Sequence, residues 1–160
     1  MKIYAASDHA GFALRGTLVK RLRERGHDVE DLGAASEVSS DYPDWAAKVG
    51  RAVREDPGSK GVLVCGTGLG VCMAANKIRG VRATNVWDHE SARLSRAHND
   101  ANVLCVGARL LPETEVVAIV DTWLETEFEA GGRHSQRLAK IADLEREELS
   151  LAKQETEKET

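Results

Sequence analysis

The sequence predicts an α/β fold with a five-stranded parallel sheet covered by helices on both faces. Three observations lead there. Short apolar runs alternate with amphipathic stretches along the whole chain, as in a parallel sheet with helical crossovers. Glycine or proline breaks separate them at Gly26, Gly33, Pro57-Gly58, Gly80, Pro112 and Gly131-Gly132. At the centre, VLVCGTGLGVCMAANK (62–77) joins a β-branched run to a helix-compatible run through a glycine-rich turn.

Taken in order, Lys2 to Ser7 reads as the first strand and runs into Asp8-His9-Ala10-Gly11. Phe12 to Arg25 is an amphipathic helix. Leu14, Leu18 and Leu22 recur at four-residue spacing, while Arg15, Lys20, Arg21 and Arg23 fall largely off that stripe. Gly26 stops it. His27 to Leu32 alternates in polarity, as an edge strand does, and the segment 34–41 is a polar, small-residue loop. Tyr42-Pro43-Asp44 opens a second helix reaching about Glu55. Beyond the central strand and turn, a helix is expected over Val71 to Ile78. A strand over Val81 to Trp87 and a helix over Glu90 to His98 follow. Val103 to Val106 is the fifth strand and Thr114 to Thr126 the fifth helix. A last helix begins at Arg133. One domain is expected over 1–145, with 146–160 a helical extension whose polar end, KQETEKET, frays.

Composition narrows the function. The chain has 160 residues, 42% hydrophobic and 30% charged, which suits one globular domain with a substantial core. A net charge of −4 argues against a general nucleic-acid binder. No apolar run approaches membrane-spanning length, and MKIYAASDHAG lacks a signal-peptide core. The three cysteines, Cys65, Cys72 and Cys105, leave at least one unpaired and show no metal-ligand spacing. A reduced, cytoplasmic setting is expected.

Chemistry concentrates where strands end. In open parallel sheets, ligands bind outside the carboxyl ends of the strands at a switch point. The first strand ends in Ser7-Asp8-His9 and the third in Cys65-Gly66-Thr67, so neighbouring strands would bring these groups to one crevice. A glycine turn before a helix lets backbone N–H groups converge on an anion. A thiol beside such a turn is favoured as thiolate. The same stretch also reads as a tight turn with an inert, buried cysteine. Each other candidate is likewise open. Asp8 suits a carboxylate at a strand end or a helix cap, and His98 suits catalysis or a helix C-terminus. Arg133 and Arg137, four apart, suit a phosphate clamp or a solvated basic face. Arg109 is equally open. The spacing Gly66-x-Gly68-x-Gly70 is not that of a dinucleotide-binding turn, and no phosphate-binding P-loop is present.

SDHAG (7–11), DYP (41–43), CGTGLG (65–70), AANK (74–77), SRAHNDANVL (95–104) and GGRHSQR (131–137) together resemble the ribose-5-phosphate isomerase B family, which includes galactose-6-phosphate isomerase subunits. The resemblance runs from Lys2 to about Glu145. It implies a Rossmann-like three-layer α/β/α sandwich, dimeric or tetrameric, with active sites shared between subunits. It implies isomerisation of a phosphorylated sugar without metal or organic cofactor. On this resemblance Cys65 is the proton-abstracting base and His98 opens the sugar ring. Thr67 assists proton movement, and Asp8, Tyr42 and Asn99 contact the sugar. Gly66, Gly68, Leu69 and Gly70 form the anion hole, while His9, Arg109, Arg133 and Arg137 hold the phosphate. His98, Asn99 and Arg109 are expected from the neighbouring subunit. Some relatives instead carry a glutamate base just after the glycine turn. Here that position is Val71, so a cysteine base is expected.

Glu90, within WDHESA, departs from the aromatic residue of many relatives, and with the loop 34–41 is expected to tune the sugar end of the pocket. The leading expectation is interconversion of ribose 5-phosphate and ribulose 5-phosphate through a cis-enediolate. Allose 6-phosphate, galactose 6-phosphate or a tetrose phosphate is the alternative substrate. A non-catalytic phosphosugar-binding module is the alternative of another class. Retention of Cys65, Thr67, His98 and Asn99 together argues against that module, since binding alone does not require them.

Overall fold

In the computed structural model, which describes residues 1–158 with side chains to Thr156, five strands form one parallel sheet. They are β1 (Lys2–Ser7), β2 (Asp28–Asp31), β3 (Lys60–Cys65), β4 (Ala83–Asn85) and β5 (Val103–Gly107), ordered β2-β1-β3-β5-β4. The helices are α1 (Phe12–Glu24), α2 (Tyr42–Glu55), α3 (Leu69–Ala75), α4 (His89–Ala97), α5 (Glu113–Glu125) and α6 (Gly132–Lys158). A 3-10 turn over His9–Gly11 precedes α1.

Alternation along the strands sorts the core into two layers. From β3, Val62 and Val64 pack with Leu14, Leu18 and Leu22 of α1 and Ile119, Val120 and Trp123 of α5. Leu63 and Cys65 point the other way, among Ala46, Val49 and Val53 of α2 and Val71 and Ala75 of α3. Both faces of the sheet are therefore covered, as a parallel sheet requires. Each fully buried leucine, such as Leu18 or Leu22, contributes about 1.5–3 kcal/mol. Trp123 is fully buried with its indole satisfied, Nε1 donating to Ser95 Oγ at 3.1 Å.

β1 and β3 are neighbours, with Ser7 opposite Val64. The chain turns outward to β2 on one side of this pair and to β5 and β4 on the other, so the switch point lies between them. Gly11 is pressed onto β3: a Cβ there would lie 2.7 Å from the Val64 carbonyl oxygen.

Several elements differ from the sequence reading. Arg15 is not on the solvent side of α1 but 5% exposed. Its guanidinium donates to Ser7 Oγ at 3.1 Å and the Ala34 carbonyl at 2.9 Å, and its Nε lies 3.1 Å from Asp31. A polar site at the end of β1 draws it in, which helical periodicity does not register. β4 is shorter than Val81 to Trp87, because Val81 N donates to Ile78 O in a turn and Asp88 already caps α4 by accepting from Ser91 N. The helix after the glycine turn starts earlier, at Leu69, and ends earlier, at Ala75. α6 continues as helix to Lys158 through the polar stretch expected to fray; the last two residues lie outside the described residues. None of its side chains to Thr156 is buried, and Ile141, Leu144, Leu149 and Leu151 are exposed. Midway along it, Glu145 Oε1 accepts from Gly80 N at 2.8 Å. Among the described residues, no helix is long and apolar enough to cross a membrane.

Candidate active site

The carboxyl ends of β1, β3 and β5 build one crevice. Cys65 ends β3, 5% exposed, and Gly68 N donates to its Sγ at 3.1 Å. Gly68 can aim that N–H because it is left-handed, φ 82°, immediately before α3. A Cβ on Gly68 would come within 2.3 Å of Asn85 Oδ1. Thr67 is exposed, and its Oγ1 accepts from Leu69 N at 3.3 Å. Gly66 carries the guanidinium of Arg109 alongside it; a Cβ there would sit 3.2 Å from the Arg109 terminal nitrogen. Arg109 N also donates to Gly66 O at 3.0 Å. The Tyr42 ring covers Gly70, and a Cβ on that glycine would meet the ring at 2.7 Å.

Asp8 is buried, and its Oδ1 accepts from Ala10 N at 3.0 Å and Gly11 N at 3.2 Å. It therefore caps the 3-10 turn while sitting beside the end of β3. His9 is half-buried, and its Nδ1 accepts from Ser40 N at 3.3 Å. That bond ties the loop 34–41 to the crevice. Val71 is fully buried in the α2–α3 layer. Glu90 engages Arg93 through both oxygens at 2.8 and 3.0 Å, and that hydrogen bonding holds its carboxyl below the usual range.

His98, Asn99, Arg133 and Arg137 lie elsewhere. α4 runs back against the strands and ends at His98, and the turn after it reaches the start of β3, where Gly61 N donates to Asn102 O at 2.8 Å. Cys65 is four residues further along β3, so the His98 turn is about 13 Å away along the sheet. Asp100 holds this turn in the left-handed region, φ 43°, accepting from Arg96 at 2.7 Å and Arg82 at 2.9 Å. His98 stacks on His134 of α6, with centroids 4.1 Å apart, which puts Arg133 and Arg137 at this end too. His134 is held below the ordinary imidazole range by desolvation, then by the charges of His98 and Arg133, with Glu129 opposing.

One chain thus gathers Cys65, Thr67, Asp8, His9, Tyr42, the glycine turn and Arg109, and separates them from His98, Asn99, Arg133 and Arg137. Arg109, expected from a neighbouring subunit, lies in its own chain's crevice. Sequence reasoning missed Asn85, whose Nδ2 donates to Thr67 O at 3.4 Å and whose Oδ1 is buried without a partner. No local pattern marks it. The fold also gathers two cysteines outside the crevice. Hydrogen bonding to Cys105 lowers the Cys72 thiol, and burial pushes the Cys105 thiol well up.

Residues 3–141 match the Ribose/Galactose Isomerase family. Ribose-5-phosphate isomerase B of Escherichia coli is 44% identical over 144 residues, 90% of this chain and 96% of that protein. The structure of ribose-5-phosphate isomerase B from Clostridium thermocellum superposes with a TM-score of 0.88 at 44% identity, covering 92% of this chain and 99% of that one. That from Mycoplasma genitalium, with bound ribulose-5-phosphate, has a TM-score of 0.88 at 42% identity over 91% of this chain and 97% of that one. With matches of this length and identity on both sequence and fold, the chain belongs to the ribose/galactose isomerase family.

Proposed function

We propose that the protein is a cofactor-independent aldose–ketose isomerase interconverting ribose 5-phosphate and ribulose 5-phosphate. The observation that carries this reading is Cys65 at the switch-point crevice, its Sγ met by Gly68 N–H, in a chain spanning nearly the full length of relatives named ribose-5-phosphate isomerase B. In the reaction, His98 of a second copy opens the furanose by moving a proton from the anomeric hydroxyl to the ring oxygen as the C1–O4 bond breaks. Cys65 takes the proton from C2 and returns it to C1. The cis-enediolate between these steps carries negative charge, which Gly66, Gly68, Leu69 and Gly70 stabilise through preorganised backbone N–H groups, about 3–4 kcal/mol per well-placed donor. A thiol, with an ordinary pKa of about 8.5, suits proton transfer near neutral pH. Thr67 Oγ1 orients an enediolate oxygen. Asp8, Tyr42 and Asn99 bind hydroxyls, and His9, Arg109, Arg133 and Arg137 hold the phosphate. Binding energy at the phosphate fixes the open chain without acting on the reacting carbons.

The catalyst is a homodimer or homotetramer in this reading, because the His98 and Cys65 edges of one chain lie at opposite ends of the sheet. A cytoplasmic setting fits three free cysteines and a phosphorylated substrate. Val71 supports the cysteine base, since the position where some relatives carry glutamate is here closed into the core. The family's second sugar, galactose, favours one alternative: a six-carbon phosphosugar as substrate. Turnover of ribose 5-phosphate, allose 6-phosphate and galactose 6-phosphate by EDTA-treated protein tests the proposal. Pentose turnover with little hexose turnover is expected. Hexose turnover alone would transfer the assignment, and binding without proton exchange at C2 would make the protein a binding module.

A further inference from the structure

The end of α4, the segment after α5 and the first turn of α6 meet around three side chains that bind metals well. His98 and His134 stack with planes 10° from parallel. His98 Nε2 lies 3.9 Å from Glu129 Oε2, and one ligand atom of each of the three residues falls within 4.8 Å of the others. Backbone hydrogen bonds hold the frame: Glu129 N donates to Ala97 O at 2.9 Å and His98 N to Leu94 O at 2.9 Å, while Gly131 N donates to Ser135 Oγ at 2.7 Å. The cluster joins residues from three elements, so it is a product of the fold and not of local spacing.

Two imidazoles and one carboxylate form a known donor set for zinc, with a fourth position left for water. Donors at bonds of about 2.0–2.1 Å in a tetrahedron stand roughly 3.4 Å apart. The cluster must contract by roughly 1.5 Å from its widest separation, and the rings must turn from stacked to convergent. Rotation about the side-chain torsions of two half-buried histidines and an exposed glutamate supplies that movement. With one carboxylate and two nitrogens, the set disfavours calcium and magnesium, which take oxygen ligands.

We propose that His98, Glu129 and His134 bind a borderline-soft divalent cation such as zinc, and that the bound ion inhibits the enzyme. The inhibitory half rests on the role given above to His98: a nitrogen whose lone pair is held by a metal cannot exchange a proton with the sugar ring. The cation is thus an antagonist of a metal-free reaction, not its cofactor.

The test uses the full chain stripped with EDTA, titrated with zinc chloride by calorimetry and assayed in parallel on ribose 5-phosphate. Glu129→Gln and His134→Ala serve as variants, since neither residue is assigned a part in turnover. One zinc per site and reversible loss of turnover are expected for the unmodified protein. Each variant should weaken binding by roughly tenfold or more, as loss of a ligand must exceed loss of an outer-shell partner, and should raise the inhibitory concentration by the same factor. Cobalt loading gives a second readout, with ligand-field bands but no sulfur-to-metal charge-transfer band. Unchanged zinc affinity in both variants, or a thiolate band pointing to Cys65, overturns the site. Binding that depends on Glu129 and His134 with turnover unaffected upholds the site and overturns the inhibition. Protein that never isomerises the pentose refutes the proposed function, while calorimetry on the variants still decides the site.

Discussion

Mixing Cys65→Ala protein with His98→Asn protein, each nearly inactive alone, should regenerate isomerase activity. The basis is the separation of the two residues: one ends β3, the other lies in the turn that meets the start of β3 through Asn102 and Gly61. They are about 13 Å apart along the strand direction within a chain, too far to act on one pentose together. In a two-fold dimer, a mixed pair holds one site with both groups intact and one with neither. Random reassortment makes about half of the dimers mixed, each with one working site, so about a quarter of the unmodified turnover should return. The assay is ketose formation from ribose 5-phosphate after co-refolding equimolar variants with different affinity tags, with mixed dimers confirmed by sequential capture. Activity no greater than the mean of the separate variants, in protein shown to be mixed, would refute the shared site.

Other outcomes follow from single positions. Cys65→Ala should abolish C2 proton exchange while leaving the circular dichroism and melting curve near those of the parent; substantial residual turnover would remove the cysteine from the role of base. Gly68→Ala forces a left-handed residue to carry a Cβ 2.3 Å from Asn85 Oδ1, costing about 1–2 kcal/mol in backbone strain alone. A lower midpoint in urea and slower turnover are expected together. Arg15→Met strands Ser7 Oγ and the Ala34 carbonyl in a buried setting and removes the ion pair to the solvent-accessible Asp31. A loss of about 1.5–3 kcal/mol is expected from the buried hydrogen bonds left unmade, read from equilibrium unfolding, and a loss under about 1 kcal/mol would show the guanidinium to be dispensable. Burial raises the Cys105 thiol well above its ordinary pKa. The unfolded chain therefore loses that proton first, and this contribution to stability, full below about 9, falls as pH rises toward the folded value. Cys105→Ala should flatten part of the alkaline decline in stability.

Much of the fold is visible in the chain because local signals agree with tertiary placement. Val62 to Val64, the glycine turn and the following helix are contiguous, so one stretch marks strand, turn and the cysteine of the crevice. Leu14, Leu18 and Leu22 mark the buried face of α1 for the same reason. Arg15 defeats the pattern, since its burial depends on Ser7, Asp31 and Ala34, which only folding gathers. Asn85 is invisible for a similar reason: its amide matters only because Gly68 and Thr67 approach it from another strand. The family resemblance groups Arg133 and Arg137 with Arg109 and His9 as expected phosphate ligands without revealing that they travel with His98. That division is a property of helix direction and is not encoded in any one motif.

Gly11 rests on the Val64 carbonyl, and Gly107 rests on Thr67, where a Cβ would lie 2.7 Å from the Thr67 carbonyl carbon. The inner wall of the crevice is therefore main chain against main chain. Such a wall resists gradual remodelling, because substitution there displaces backbone instead of trading one side chain for another. Adaptation to a longer or shorter sugar must then begin at the outer margin, as in the loop 34–41 tethered to His9. Lineages that change substrate should show their variation at that margin and keep the floor fixed.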